Sequence, residues 1–143
     1  MRDVGKATSQ HLRYTTDGNG DVVDLTAGVA RVVADAGSVT TGIATVFVPG
    51  ATAAVTTMEN EPGNVFDLRA LLDRLVPPED EYHHNRLNHD TNAHAHIRAA
   101  LIGPSESIPI EAGRLLLGTW QQIVLVDFDD RPRERTVLVN VVC

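Results

Sequence analysis

Cysteine is nearly absent. The single one, Cys143, is the last residue, so no disulfide can form within the chain. Aromatic residues are only 4% of the total, which leaves Val, Leu, Ile and Ala to build the core. No apolar run approaches the roughly 18 residues that a membrane helix needs. The N-terminal segment MRDVGKATSQ lacks the apolar stretch of a secretory signal. Together these features lead us to expect the cytoplasm and no membrane partner. Positive charge is scarce as well, with a net charge of −7. A nucleic-acid binder carries a basic patch or stripe. Here only Arg131, Arg133 and Arg135 cluster, alternating with acids and Pro132, and they read as a solvated turn. Nucleic acid is therefore not an expected partner. The chain also has no GxGxxG, no Walker loop, no GxSxG elbow and no HExxH.

What remains describes an ordinary globular protein. The apolar fraction is 43% and the charged fraction 22%, and 143 residues suit one domain with a real core. Residues 8–14 read as a first strand, ended by the turn Asp17-Gly18-Asn19-Gly20. Asp24 is an expected N-cap for a helix whose face is Leu25, Val29, Val32, Val33 and Ala36, with Gly37 at C′. The β-branched runs at 41–48 and 53–58 read as strands. After Pro62-Gly63, Asn64 is the expected cap of a helix facing inward through Val65, Leu68, Leu71, Leu72 and Leu75, stopped by Pro77-Pro78. A helix is expected from Ala93 to Ile102, with Ile97, Ala100 and Leu101 inward. Alternation at Ile108 and Ile110, apolar runs at 115–117 and 123–126, and a last strand in TVLVNVV complete the chain. Helices fall among the strands without repeated βαβ units, so the fold class read is α+β with a largely antiparallel sheet.

Five of the six histidines lie in one segment, YHHNRLNHDTNAHAHIR at 82–98. His83, His84, His89, His94 and His96 are interleaved with Asn85, Asn88, Asp90 and Asn92. Histidine is the commonest metal ligand and titrates near neutral pH, so this is the candidate site. A solvated loop collects the same residue types, and the spacing is not that of a zinc finger. If His83 and His84 lie on extended chain, they point to opposite faces. On a helix, His94 and His96 would stand about 200° apart and could share an ion only if His94 preceded the helix. A three-ligand zinc site leaves a position open for water or substrate, and imidazoles suit zinc. Asp90 serves either as a ligand or to orient a histidine, and a turn role is equally compatible. Glu59 and Glu61 end a strand and could act as general base or acid if buried together. Arg98 could meet a phosphate.

Blocks of the chain resemble the YjbQ-like family, small proteins without an assigned function. They are FVPGATAAVTTMENEPG at 47–63, YHHN and DTNAHAHIR within 82–98, LIGPSESIPI at 101–110, and GRLLLGTWQQIVLVDFDDRPR at 113–133. The resemblance implies an α+β fold, a homotrimer with sites near subunit contacts, and a polar pocket holding a divalent metal, usually zinc. Some similar proteins are labelled secondary thiamine-phosphate synthases, so it also implies a small phosphorylated substrate. In that reaction pyrophosphate leaves a pyrimidine carbon as a thiazole nitrogen attacks. The family's pattern falls on Glu59, His84, Asp90, His96, Ser105 and Thr119-Trp120-Gln121, and with His94, which many members lack, the expected metal ligands are His84, His94 and His96. The expected catalytic residues are Glu59, Asp90 and Arg98, and those expected to bind substrate are Asn85, Arg86, Ser105, Thr119 and Gln121, of which Arg98, Asn85 and Arg86 rest on their own chemistry and not on the resemblance. Many members have a histidine where this chain has Gly50, and His94 or Asp90 is the expected replacement ligand. Trp120, the only tryptophan, is expected in the core.

Overall fold

The computed structural model describes residues 5–143. It contains two antiparallel sheets and four helices in α+β arrangement. The first sheet runs β1 (Ala7–Thr16), β8 (Arg133–Val142), β3 (Gly42–Phe47), β5 (Ser105–Glu111) and β6 (Arg114–Leu115). The second runs β2 (Asp21–Asp24), β7 (Gln122–Asp127) and β4 (Ala53–Met58). Strand alternation sorts the residues of the second sheet. Ala53, Val55, Ile123 and Leu125 face the first sheet and pack on Val46, Val137 and Val139. Ala54, Val124 and Val126 face the other way, toward helices α2 (Pro62–Leu75) and α4 (Ala93–Ile102). β7 is thus covered on both faces, which is why it reads as an unbroken apolar run. Each fully buried Val, Leu or Ile contributes roughly 1.5–3 kcal/mol.

Helix α1 (Thr26–Asp35) buries Val29, Val32 and Val33 as the period implies. Asp24 does accept from the Thr26 N–H at 2.8 Å, though Leu25 holds the N-cap position. Gly37 follows the helix with φ +93°, a conformation open to glycine. Helix α2 is capped by the side chain of Glu61, not by Asn64; the Asn64 N–H donates to it. Glu61 is therefore committed to a cap and is no acid–base pair with Glu59. Of the expected inward face of α2, Leu72 is buried with Leu68 packed one turn before it, while Leu71 and Leu75 lie off that stripe and are exposed.

Helix α4 has the expected bounds and the opposite face inward. Ala95 and Ala99 pack on the sheet with His94 and Arg98 beside them, and Ile97, Ala100 and Leu101 point outward. The small alanines let the helix approach Ala54 and Val126 closely, which longer side chains would prevent. Of the expected strand at 115–117 only Leu115 is strand, in the two-residue β6 with Arg114, and Leu116 is exposed. Trp120 is not core: it lies in the turn before β7, 72% exposed. Among the described residues no helix is long and apolar enough to cross a membrane.

Candidate functional site

The histidine segment is mostly helical, not extended. His83–Asn88 forms a short helix, α3, closed by His89 in the left-handed region at φ 51°. α4 begins at Ala93 after a four-residue connection, so His94 lies inside that helix. Asn85 fixes the junction: its Oδ1 accepts from the Ala93 N–H at 3.0 Å, and its backbone oxygen accepts from the Asp90 N–H. It is a positioning residue for the α4 terminus more than a free substrate contact.

This junction brings His84 of α3 and His96 of α4 together, ring centroids 4.5 Å apart at 51°. Asn92 donates from Nδ2 to the buried Asp129 carboxylate at 3.3 Å, which turns its Oδ1 toward His84 Nε2, 3.2 Å away. An amide oxygen only accepts, so Nε2 of His84 carries a proton and donates to Asn92. Asp90 Oδ2 stands 3.6 Å from the same Nε2 while its Oδ1 accepts from the Thr91 N–H at 2.8 Å. Asp90 therefore closes a turn and also faces His84. His96 opens onto an apolar recess of about 320 Å³ lined by Gly50, Ala51, Ala53, Ala100 and Pro104. Ser105 follows Pro104 at the start of β5, exposed at this rim.

The three-histidine ligand set does not form. His94 and His96, both within α4, point to different sides, and His94 lines a separate acidic cavity. Among the described residues no three His, Cys, Asp or Glu side chains converge to hold an ion. His83 and His89 are exposed. Arg98, expected to meet substrate, is engaged within the fold. It is 4% exposed, donates twice to the Val76 carbonyl at 3.1 and 2.8 Å, and pairs with Asp73 at 3.0 Å, holding the end of α2. Arg86 is exposed, beside Asp80 and Glu81.

The remaining expected residues sit elsewhere. Glu59 follows the last residue of β4, whereas His96 adjoins Ala53, the first. Six residues of strand separate these ends by about 20 Å. Glu59 is near Thr57, on which Gln121 Nε2 donates at 3.0 Å, and Thr119 lies in the same turn as Gln121. Within one chain the expected residues thus fall into two groups: His84, Asp90, His96 and Ser105 near one end of β4, Glu59, Thr119 and Gln121 near the other.

A buried network supports the histidine end. Arg135 donates from Nε to Asp127 at 2.7 Å, and from Nη2 to Asp127 at 2.9 Å and to Thr52 at 2.7 Å. Thr16 donates to Asp127 at 2.6 Å, and Thr52 to Asp129 at 3.2 Å. Burial would raise the Asp127 carboxyl, but the hydrogen bonds from Arg135 and Thr16 outweigh it and hold it below its ordinary range. Asp129 is likewise lowered against burial, by the Asp130 N–H, Asn92 and Arg133. The Asp127 bond raises Arg135 further. Two members of the arginine trio are therefore not a solvated turn: Arg135 is buried, and Arg133 pairs with Asp129 at 3.3 Å. The alternation of Asp127 with Asp129 at the end of β7 and of Arg133 with Arg135 at the start of β8, two strands of different sheets joined by one turn, is the sequence signal that carries this network. A Cβ at Gly50 would come within 2.9 Å of Arg135 Nη1, so any side chain there must displace the guanidinium.

Comparison with known proteins agrees with this architecture. The family model described as "UPF0047 protein YjbQ-like" matches residues 10–143. A UPF0047 protein of Archaeoglobus fulgidus is 39% identical over 120 residues, spanning 84% of this chain and 90% of its own. The UPF0047 protein YugU of Bacillus subtilis is 32% identical over 131 residues, covering 91% of this chain and 96% of its own. The crystal structure of a YbjQ-like protein of unknown function from Sulfolobus solfataricus superposes with a TM-score of 0.91 at 32% identity, covering 97% of this chain and 99% of that one. A hypothetical protein from Aeropyrum pernix gives 0.84 at 37% identity, over 92% of this chain and 96% of that one. With its fold and nearly its whole length matched, this chain belongs to the UPF0047 YjbQ-like family.

Proposed function

We propose that the protein is a metal-dependent enzyme acting on a small phosphorylated substrate, in the manner of a thiamine-phosphate synthase, with its centre at His84 and His96. The observation that carries this reading is the approach of two imidazoles from different helices, 4.5 Å between centroids, with one ring oriented by Asn92. A residue that orients a histidine through one nitrogen prepares the other for a ligand. Two imidazoles with a carboxylate beside one of them suit zinc by donor type. A zinc or other divalent ion there would neutralise charge on a phosphate oxygen. His84 and His96 would hold it, and Asp90 would steady His84. Ser105 at the rim would donate to substrate oxygens.

Glu59 would move a proton, helped by Thr119 and Gln121 in orienting substrate. Because these residues lie at the far end of β4, we propose a homotrimer in which one subunit's Glu59 end approaches another's histidine end. Exposed apolar side chains on the outer face of the first sheet, Ile43, Phe47 and Val142, support association. The alternative is a non-catalytic module that holds a metal or small ligand, favoured by the distance between Glu59 and the imidazoles within one chain.

The deciding experiment is metal content of untagged protein by emission spectroscopy, followed by turnover of phosphorylated pyrimidine and thiazole substrates. His84→Ala and His96→Ala should each lose bound metal and turnover together. Full activity in both variants defeats the proposal, and metal retention with no turnover of any substrate favours the binding module. Light scattering on Phe47→Glu tests the assembly, with dissociation expected.

A further inference from the structure

We propose that the cavity between the Pro78–Asp80 loop, α3 and α4 binds a small organic cation with several N–H donors, of the ammonium or amidinium class. It has a volume of about 450 Å³, the size of a small-molecule site. Its carboxylates come from three parts of the chain: Glu79 and Asp80 from the loop, Asp90 from the α3–α4 connection, and Asp130 from the β7–β8 turn. No lysine or arginine lines it. Clustered carboxylates alone attract any cation. The second feature is His94, which also lines the cavity and is only 5% exposed. Its Nδ1 is buried with no hydrogen-bond partner among the described residues. A buried polar atom left unpaired carries a desolvation penalty, and a small turn of the ring toward a ligand in the cavity that His94 lines would relieve it.

The choice of an organic cation over a bare ion follows from the spacing. A metal needs donors converging on one point, and among the described residues no three acidic or imidazole groups do so. Carboxylates spread around a cavity match a cation whose charge and N–H donors are themselves spread out, with charge-assisted hydrogen bonds to each. Asp90 and Asp130 are already held in place through Thr91, whose N–H donates to Asp90 and whose hydroxyl donates to Asp130. The wall is therefore formed in advance of the ligand. Asn85 adjoins it while spending its amide oxygen on Ala93. This site shares Asp90 with the His84–His96 centre but is otherwise lined by other residues, and His94 and His96 open onto different cavities.

The test uses agmatine and spermidine as probes on the full-length protein with ¹³C-labelled histidine. Agmatine should shift the His94 ring signals saturably while those of His96 move little. The exposed pair Glu79→Gln, Asp80→Asn should weaken agmatine binding about tenfold, the scale expected for two partly solvated charge contacts. His96→Ala, which disables the proposed metal centre without touching Asp90, should leave agmatine affinity unchanged, so the two readings fail separately. The inference is overturned if neither probe shifts His94, if the double variant binds agmatine as tightly as the parent, or if zinc or magnesium alone gives the same His94 shift at lower concentration.

Discussion

His84 donates through Nε2 to Asn92 Oδ1 at 3.2 Å, and Asn92 is itself held by the buried Asp129. The orientation of an exposed-edge imidazole is thus set from the core. Replacing Asn92 with Ala removes the acceptor for His84 and a donor to Asp129. The stability cost should be about 1–3 kcal/mol, that of leaving a largely buried carboxylate oxygen short of a partner. Any metal held by His84 should be bound about 10–100 times more weakly, as for the loss of other residues that orient ligands. Urea unfolding and a zinc titration monitored on the same preparation check both numbers.

Arg135 and Asp127 form a buried pair at 2.7 and 2.9 Å. Such a pair is not itself large net stabilisation, since desolvation offsets much of the attraction. Removing one partner is a different matter. Arg135→Met should cost about 3–5 kcal/mol by leaving Asp127 buried without a cation. Adding Asp127→Asn to Arg135→Met should recover part of that loss. A double-mutant cycle in urea measures the coupling, and strictly additive effects would refute it.

These residues also mark where the sequence was readable and where it was not. Strands β3, β4, β7 and β8 and helices α1 and α4 follow from period and breakers, because one or both faces of each meet the core. The inward face of α4 was misread because Ile97 and Leu101 are the more hydrophobic residues, while close approach to the sheet selects Ala95 and Ala99. Helix α3 was missed because a six-residue helix with no buried side chain leaves no apolar period. The histidine segment stood out by composition alone. Which rings meet, however, depends on a turn between two helices, and local spacing does not encode that. The ion-pair network escaped because arginines beside a proline-containing turn look solvated until strand pairing carries Arg135 inward.

Acid should unfold the protein through this same network. The carboxyls of Asp127 and Asp129 are held below their ordinary range, Asp127 facing Arg135 and Thr16 and Asp129 facing Arg133, Thr52 and Asn92. A depressed folded-state value means the unfolded chain binds protons first. The stabilisation is therefore complete above the unfolded carboxylate value of about 3.9 and disappears as pH falls through the lower folded values. Urea midpoints measured from pH 7 to pH 2 should stay level on this account until about pH 4 and then drop. In Asp127→Asn the drop should be shallower, although the variant starts from a lower midpoint.

Arg98 supplies the sharpest separation between a structural cation and a substrate contact. It carries two hydrogen bonds to the Val76 carbonyl, at the C-terminal end of α2, where a positive charge also favours the helix dipole. Asp73, the partner carboxylate, is largely solvated, so Asp73→Ala should change stability by less than about 1 kcal/mol. Arg98→Ala strips a buried side chain and leaves the Val76 oxygen unpaired, and should cost about 2–4 kcal/mol. If the residue only holds α2 to α4, substrate KM measured below the melting transition should match the parent in both variants. A KM increase of tenfold or more confined to Arg98→Ala, with the urea midpoint unmoved, would mean that its guanidinium leaves Val76 to meet substrate.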